Sequence, residues 1–318
     1  MSAGAAARGS GPTFSHDALL YAGDEEFLAG TVPFIRAGIE AGEPVLVAVD
    51  TGKIALLESE LSADAAYVQF ADMHEIGSNP ARLIPAWKQF LDSRKVPVKR
   101  VWGVGEPIWA GRSEAELVEC HRHESLLNLA FADAAPLSLL CPYDTLALDA
   151  EVIAAAHCSH PTIVGGGKRR TSHAYCGLDA LATPFADPLP EPRAPVHELV
   201  FVSEDLADMR QFVARRARAA GLGETRCEDL VLAVNEVATN SVRHGGGRGT
   251  LCAWQERGVL ICEVRDRGRF DDPLAGRRRP RDAQIDGYGL WLANQVCDLV
   301  QVRSQADGSA VRVHMRMA

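Results

Sequence analysis

Between Gly165 and Pro195 this 318-residue chain carries Gly165-Gly-Gly-Lys-Arg-Arg170 and then prolines at 184, 188, 190, 192 and 195. Proline fixes φ and lacks a backbone donor, so neither a helix interior nor a central strand runs through such a stretch. Pro-rich composition favours an extended, semi-rigid spacer. The chain must therefore bury its apolar residues in two bodies of ordinary domain size. Residues 14–161 and 196–318 are read as the domains and 162–195 as a Gly/Pro-rich linker. Residues 1–13, rich in Ala, Gly and Ser, read as a disordered lead-in without the apolar stretch of a signal peptide.

The first body alternates. Helical spacing over Asp24–Ala41 gives one apolar face through Phe27, Leu28, Val32, Ile35 and Ile39, with a kink or break expected at Pro33. Short apolar runs at Pro44–Val49, Tyr67–Phe70, Val98–Val104 and Leu137–Cys141 read as strands. Helices are expected at Ile54–Leu61, Pro80–Ser93, Glu114–Phe131 and Ala150–His157. This alternation predicts a mainly parallel sheet covered on both faces, a three-layer α/β domain. Ligands of such sheets sit at the carboxyl ends of strands, which directs attention to Asp50-Thr-Gly-Lys53, Glu106, Trp109 and Cys141-Pro-Tyr-Asp144. The first of these is not a phosphate loop, because Val47 stands at the leading Gly position and Ile54 at the Ser/Thr position.

In the second body, strands are expected at Leu199–Val202, Thr250–Gln255, Val259–Arg265, Leu299–Ser304 and Ala310–Met317, with helices at Leu206–Ala220 and Thr225–Val242. That mixture predicts a two-layer α/β sandwich. Glu236 and Asn240 lie four apart on the second helix and share a face. Asp266-Arg-Gly268 follows at a strand end, and Gly287-Tyr-Gly289-Leu290 follows an Arg-rich segment. An amide oxygen at Asn240 suits Mg²⁺, which takes oxygen ligands and keeps phosphates and water in its shell. Glu236 can then deprotonate an attacking hydroxyl, and Asp266 can accept a hydrogen bond from a base. Gly268, Gly287 and Gly289 admit close backbone approach. Together these residues describe a nucleotide site with Mg²⁺.

The ordered set resembles the three motif boxes of the GHKL (Bergerat-fold) ATPases, and within them the anti-sigma-factor serine kinases. Ala233, Val234, Glu236, Asn240, His244 and Gly245 match the first box. The resemblance implies ATP as the nucleotide, with roles for Asp266 and Gly268 toward adenine and for Gly287, Gly289 and Leu290 toward the phosphates. Residues 269–286 correspond to the family's ATP lid, in which Arg277, Arg278, Arg279 and Arg281 suit phosphate pairing. Many relatives carry Gly-Thr where this chain has Gly308-Ser309, so a phosphate contact there falls to Ser309. The first body resembles the DcmR-type sensory domain called MEDS at His16–Tyr21, Gly105-Glu-Pro107, Arg122-His-Glu-Ser125 and Cys141–Asp144. That resemblance implies a RecA/KaiC-like sheet without its ATP-binding loop, sensing a small molecule.

Charge and cysteine content narrow the partners. A net charge of −9 argues against general nucleic-acid binding, and no run of about 20 apolar residues exists to span a membrane. The eight cysteines form no Cys-x-x-Cys pair and read as reduced thiols of a cytoplasmic protein. His16, Glu106, His121, His123 and Glu124 invite a metal reading, and so do His157 and His160. Yet His121 and His123 do not share a helix face, and the sequence places no Cys or Asp to complete a site around His157 and His160. Solvated or capping histidines are therefore expected.

The resemblance implies an ATP-dependent protein kinase that sequesters a sigma factor and phosphorylates a Ser or Thr of a STAS anti-anti-sigma partner. Regulation would come from the N-terminal half, and the resemblance allows a homodimer. A nucleotide-binding adaptor without phosphotransfer is the alternative. A two-component histidine kinase is excluded, because Leu206–Ala220 contains no phospho-accepting His.

Overall fold

The structure is a computed structural model that describes residues 14–93, 99–132, 136–177, 179, 187–280 and 287–317. Residues expected in the lead-in, Val98, Pro184 and the end of the Arg-rich segment, including Arg281, lie outside these. The chain divides into two compact units. The first comprises 1–73, 90–110 and 127–175, and the second comprises 74–89, 111–126 and 176–318.

The first unit is built on a seven-stranded sheet: β1 (Phe14–Tyr21), β2 (Val45–Val49), β3 (Val68–Asp72), β4 (Val101–Gly105), β5 (Leu137–Asp144), β6 (Thr162–Gly165) and β7 (Lys168–Thr171), in the order β3-β2-β4-β5-β1-β6-β7. All neighbours are parallel except β6 and β7. Helices α1 (Gly23–Glu40) and α2 (Thr51–Leu61) follow β1 and β2, and α6 (Ala150–Ser159) follows β5. β2 is apolar and buried at every position, as a strand covered on both faces must be.

Three local expectations change. α1 runs unbroken through Pro33: the proline removes one intrahelical bond, but buried Phe27, Val32 and Ile35 keep the helix docked. The Gly165–Arg170 stretch is not linker but the β6–β7 hairpin, added to the sheet edge beside β1. Gly166 and Gly167 turn it with φ of 56° and 70°, the pair of positive values a two-residue type I′ turn needs. Cys158 and Cys176, which flank this hairpin in sequence, are disulfide-bonded, where all eight cysteines read as reduced thiols. The other six are free and buried.

The second unit holds a five-stranded antiparallel sheet: β8 (His197–Val202), β9 (Arg248–Glu256), β10 (Val259–Asp266), β11 (Leu299–Gln305) and β12 (Gly308–Arg316), in the order β11-β12-β10-β9-β8. Helices α7 (Leu206–Ala219), α8 (Glu224–His244) and α9 (Tyr288–Val296) pack on one face. Their Met209, Val213, Leu230, Val234, Val237 and Leu290 join the core with Leu260, Cys262, Val264, Val300, Val302, Val311 and Val313. Period-two alternation sends the intervening residues to the other face, where a small apolar cluster of Cys252, Trp254 and Ile261 accompanies polar Glu263, Gln301, Arg303, Arg312 and His314, all buried. The polar face is paired internally. Arg312 donates to Glu263 at 2.7 Å, and His314 Nε2 lies 3.0 Å from Gln301 Oε1.

The same unit contains two earlier pieces of chain. Residues 74–89 include α3 (Met73–Ile76) in part, Asn79 and most of α4 (Leu83–Asp92); residues 111–126 include most of α5 (Glu114–Ala130). Asn79 Nδ2 donates to Asn294 Oδ1 at 3.1 Å, and Arg82 Nε to the Asn294 carbonyl at 2.8 Å. Glu116 pairs with Arg316.

His314 makes the fold pH-sensitive. Burial, with the Arg312 guanidinium beside it, holds its pKa down at about 4. The folded imidazole stays neutral, while an unfolded one protonates near pH ~6.5. The unfolded state thus binds the extra proton, and stability falls as pH drops from ~6.5 to about 4, by on the order of 3 kcal/mol from this group. Urea unfolding at neutral and mildly acidic pH should show a smaller acid loss in His314→Gln than in the unaltered chain. An equal loss in both would remove His314 as the cause.

Candidate functional site

α8 brings the second unit's polar groups to one end of the sheet. Glu236 and Asn240 are half-buried, one turn apart on the helix. The turn into α9 arrives beside them. A Cβ on Gly289 would stand 2.7 Å from Glu236 Oε2, 3.0 Å from Glu236 Cβ and 3.4 Å from Asn240 Nδ2, so a side chain there would displace the Glu236 carboxylate. Gly287 caps α9 with φ of 91°, a left-handed value that favours glycine. The first amides of α9 have no helical partner and form the kind of helix N-terminus that receives phosphate. Leu290 is buried and anchors α9 in the core.

Asp266 lies at the end of β10, opposite Ser309 of β12. Its Oδ1 accepts from the Gly268 amide at 2.7 Å and from Ser309 Oγ at 2.8 Å. Its Oδ2 accepts from Ser241 Oγ at 2.5 Å. Gly245 closes the contact: a Cβ there would lie 2.5 Å from Asp266 Cγ. The Arg267 amide donates to the Gly245 carbonyl at 3.1 Å. Ser309 is thus committed to Asp266, on the side where the resemblance puts adenine rather than phosphate. His244 ends α8 with an exposed side chain. Ser241, which carries one of the three contacts to Asp266, has no distinguishing signal in the sequence.

The Arg-rich segment is partly docked. Leu274, Gly276 and Arg277 are buried, while Arg278 and Arg279 are exposed. Asn294 Nδ2 donates to the Gly276 carbonyl at 3.2 Å. Arg277 Nη2 donates to Glu119 Oε2 at 2.8 Å, and Arg303 Nη1 to Glu119 Oε1 at 2.8 Å. Arg122 Nη1 lies 3.6 Å from the same carboxylate. Burial alone would raise the Glu119 pKa; Arg122, Arg277 and Arg303 outweigh it and hold the carboxyl below its usual value. Arg277 therefore faces a carboxylate, where the sequence suggested a phosphate.

In the first unit, Asp50 caps α2 by accepting from the Lys53 amide at 3.0 Å. Lys53 Nζ donates to both oxygens of buried Glu106, at 2.8 and 2.7 Å, and Tyr21 Oη donates to Oε1 at 2.6 Å. Burial pushes the Glu106 carboxyl up to about 6 against the pull of Lys53 and Tyr21. The lysine of the failed phosphate loop is neutralised from within the chain. The histidines are not solvated either: His16, His123 and His160 are all buried.

Comparison with known families follows this division. Residues 15–161 match the family model described as MEDS, the MEthanogen/methylotroph, DcmR Sensory domain, and residues 202–315 match the Histidine kinase-like ATPase domain. The chain is an N-terminal MEDS sensory domain fused to a C-terminal histidine kinase-like ATPase domain. No curated protein matches the chain. Among solved structures, the RsbU and RsbW domains of a Mycobacterium tuberculosis protein align at 18% identity and a TM-score of 0.31, over 38% of this chain and 32% of that one. The Acinetobacter baumannii histidine kinase AdeS aligns at 12% identity and a TM-score of 0.23, over 39% of this chain and 68% of that one. The chain thus spans about a third of the mycobacterial chain's length.

The Gly289 contact yields a direct expectation for the ATPase domain. Overpacking of this kind costs about 1–3 kcal/mol. Gly289→Ala should weaken Mg·ATP binding roughly 10- to 100-fold in calorimetry while the thermal melt stays cooperative. Unaltered affinity in the variant would show that nucleotide does not use the space beside Glu236.

Proposed function

We propose that this protein is an ATP-dependent serine/threonine kinase and anti-sigma factor. In this reading it sequesters a sigma factor and phosphorylates a STAS-domain anti-anti-sigma partner, under control of its MEDS half. The observation that carries the kinase reading is the convergence of Glu236, Asn240 and the Gly289 backbone, with the Asp266 network held at the neighbouring strand end. Asp266 and Gly268 would receive adenine, and the α9 N-terminus at Gly287–Gly289 the phosphates. Asn240 would hold Mg²⁺, which supplies charge neutralisation on the phosphates. Glu236, half-buried and one turn away, would take the proton from the partner's hydroxyl. The RecA/KaiC-like and Bergerat folds are part of this reading, supported by the strand orders of the two sheets. A cytoplasmic setting fits it, and among the described residues no helix is long and apolar enough to cross a membrane.

Regulation by the MEDS half is supported by Glu119. The family model places this residue in the MEDS domain, yet it holds Arg277 of the lid within the second compact unit. A signal that altered α5 would change what holds Arg277. Coupling of this kind is reciprocal, typically ~5–150-fold in affinity.

Two variants test the chemistry. Glu236→Gln keeps shape and loses basicity, so Mg·ATP should still bind while phosphate transfer to a STAS substrate falls by about 10²–10⁴-fold. Asp266→Ala should lose nucleotide binding itself. Transfer at the unaltered rate by Glu236→Gln in a radiolabelled-ATP assay would refute its role as base. Full binding by Asp266→Ala would refute the adenine assignment.

A further inference from the structure

We infer that the MEDS half contains a binding site for a divalent d-block metal ion of the zinc class, formed by His16, Cys141 and His160. Their donor atoms all lie within 4.8 Å of one another, and all three residues are buried. The fold brings them together from distant sequence. His16 of β1 pairs in register with Leu139 of β5, so Cys141, two residues further along β5, faces the same side of the sheet. His160 directly follows α6, which returns the chain to that side. The His16 and His160 ring centroids are 4.0 Å apart.

Each histidine is prepared as a ligand by its other nitrogen. His16 Nδ1 lies 3.1 Å from Asn128 Oδ1, and His160 Nδ1 lies 2.9 Å from the Ala156 carbonyl. An oxygen acceptor at Nδ1 places the proton there and makes Nε2 the lone-pair nitrogen. This is the outer-shell arrangement that orients ligating imidazoles. His16 Nε2 is already 3.4 Å from Cys141 Sγ. Tetrahedral coordination with bonds of about 2.0–2.3 Å separates neighbouring ligands by roughly 3.3–3.6 Å, so the cluster needs little contraction to close on an ion. Glu124 lies one turn before Asn128 on the same face of α5.

The donor chemistry selects the metal. One thiolate and two imidazoles suit Zn²⁺ and its neighbours and are foreign to Mg²⁺ or Ca²⁺, which take oxygen. Three ligands from strands and helix end leave a fourth position for water, a carboxylate or a small ligand, as at open rather than closed zinc sites. His16 and Cys141 belong to the motifs that resemble MEDS, and the kinase chemistry uses none of the three ligands.

The test uses the untagged full chain, purified, stripped with chelator and titrated with Co²⁺. The expected result is one equivalent per chain, giving strong d–d absorption of four-coordinate cobalt and a thiolate-to-cobalt charge-transfer band. Zn²⁺ should abolish both by competition. Cys141→Ser should lose the charge-transfer band, whereas Cys262→Ser, buried elsewhere, should keep it. X-ray absorption on the unaltered zinc-loaded chain needs no variant, and one sulfur with nitrogen or oxygen neighbours is expected. No spectral change with Co²⁺, a charge-transfer band that survives in Cys141→Ser, or a zinc shell without sulfur would each overturn the site. Mg·ATP binding is independent of all three readouts.

Discussion

The Asp266 carboxylate ties the nucleotide-site elements together. It accepts from a hydroxyl on α8, a backbone amide in the turn after β10 and a hydroxyl on β12. A carboxylate satisfied in this way is fixed in direction. Glycine at 245 is required because a side chain there would strike the Asp266 carboxyl group, and glycine at 308 because a Cβ would lie 2.1 Å from the Asp266 carbonyl oxygen. The end of α8 is thereby pinned against the sheet. Asn240 and Glu236, one and two turns back from that end, inherit a fixed position, and Gly289 packs against them.

A second buried carboxylate organises the opposite face of the same sheet. Glu119 gathers Arg277, Arg303 and Arg122, an arrangement in which loss of the acid would strand buried positive charge. Its helix α5 is a single element whose first part belongs to the second compact unit and whose last part belongs to the first. The helix carries Glu119, which holds Arg277, and further along Asn128, whose Oδ1 lies beside His16. Family boundaries drawn along the sequence do not coincide with these units.

Much of this was legible in the sequence. Apolar runs mark β2 to β5, the strands of the second sheet and the helix carrying Glu236 and Asn240, because burial leaves a pattern behind, whereas β1 does not read as a strand. The spacing of Glu236, Asn240, Asp266 and Gly289 likewise announces residues that converge. What failed to show was long-range and polar. Nothing in the local pattern marks Glu263, Arg303, Arg312 and His314 as buried, yet they are; Arg312 pairs with Glu263 and Arg303 with Glu119. Cys141 reads as a strand end and His160 as a neighbour of His157; the parallel pairing of β1 with β5, invisible to local pattern, is what brings Cys141 to His16. The β6–β7 hairpin was hidden in a Gly-rich basic stretch whose edge-strand residues Lys168–Thr171 are all exposed.

The two halves differ at the places where phosphate could be received. At the start of α2, Lys53 is bound by the carboxylate of Glu106, so the one loop of the MEDS half that resembles a phosphate loop is already neutralised. In the ATPase half, the α9 N-terminus opens beside Glu236 and Asn240. The account's central claim is that nucleotide belongs to the second place alone. Hydrogen–deuterium exchange of the full chain with and without Mg·ATP measures this directly. The account predicts slowed exchange at 236–245, 266–268 and 287–290, with 50–54 unaffected. Protection at 50–54, or none along α8 and the start of α9, would contradict it.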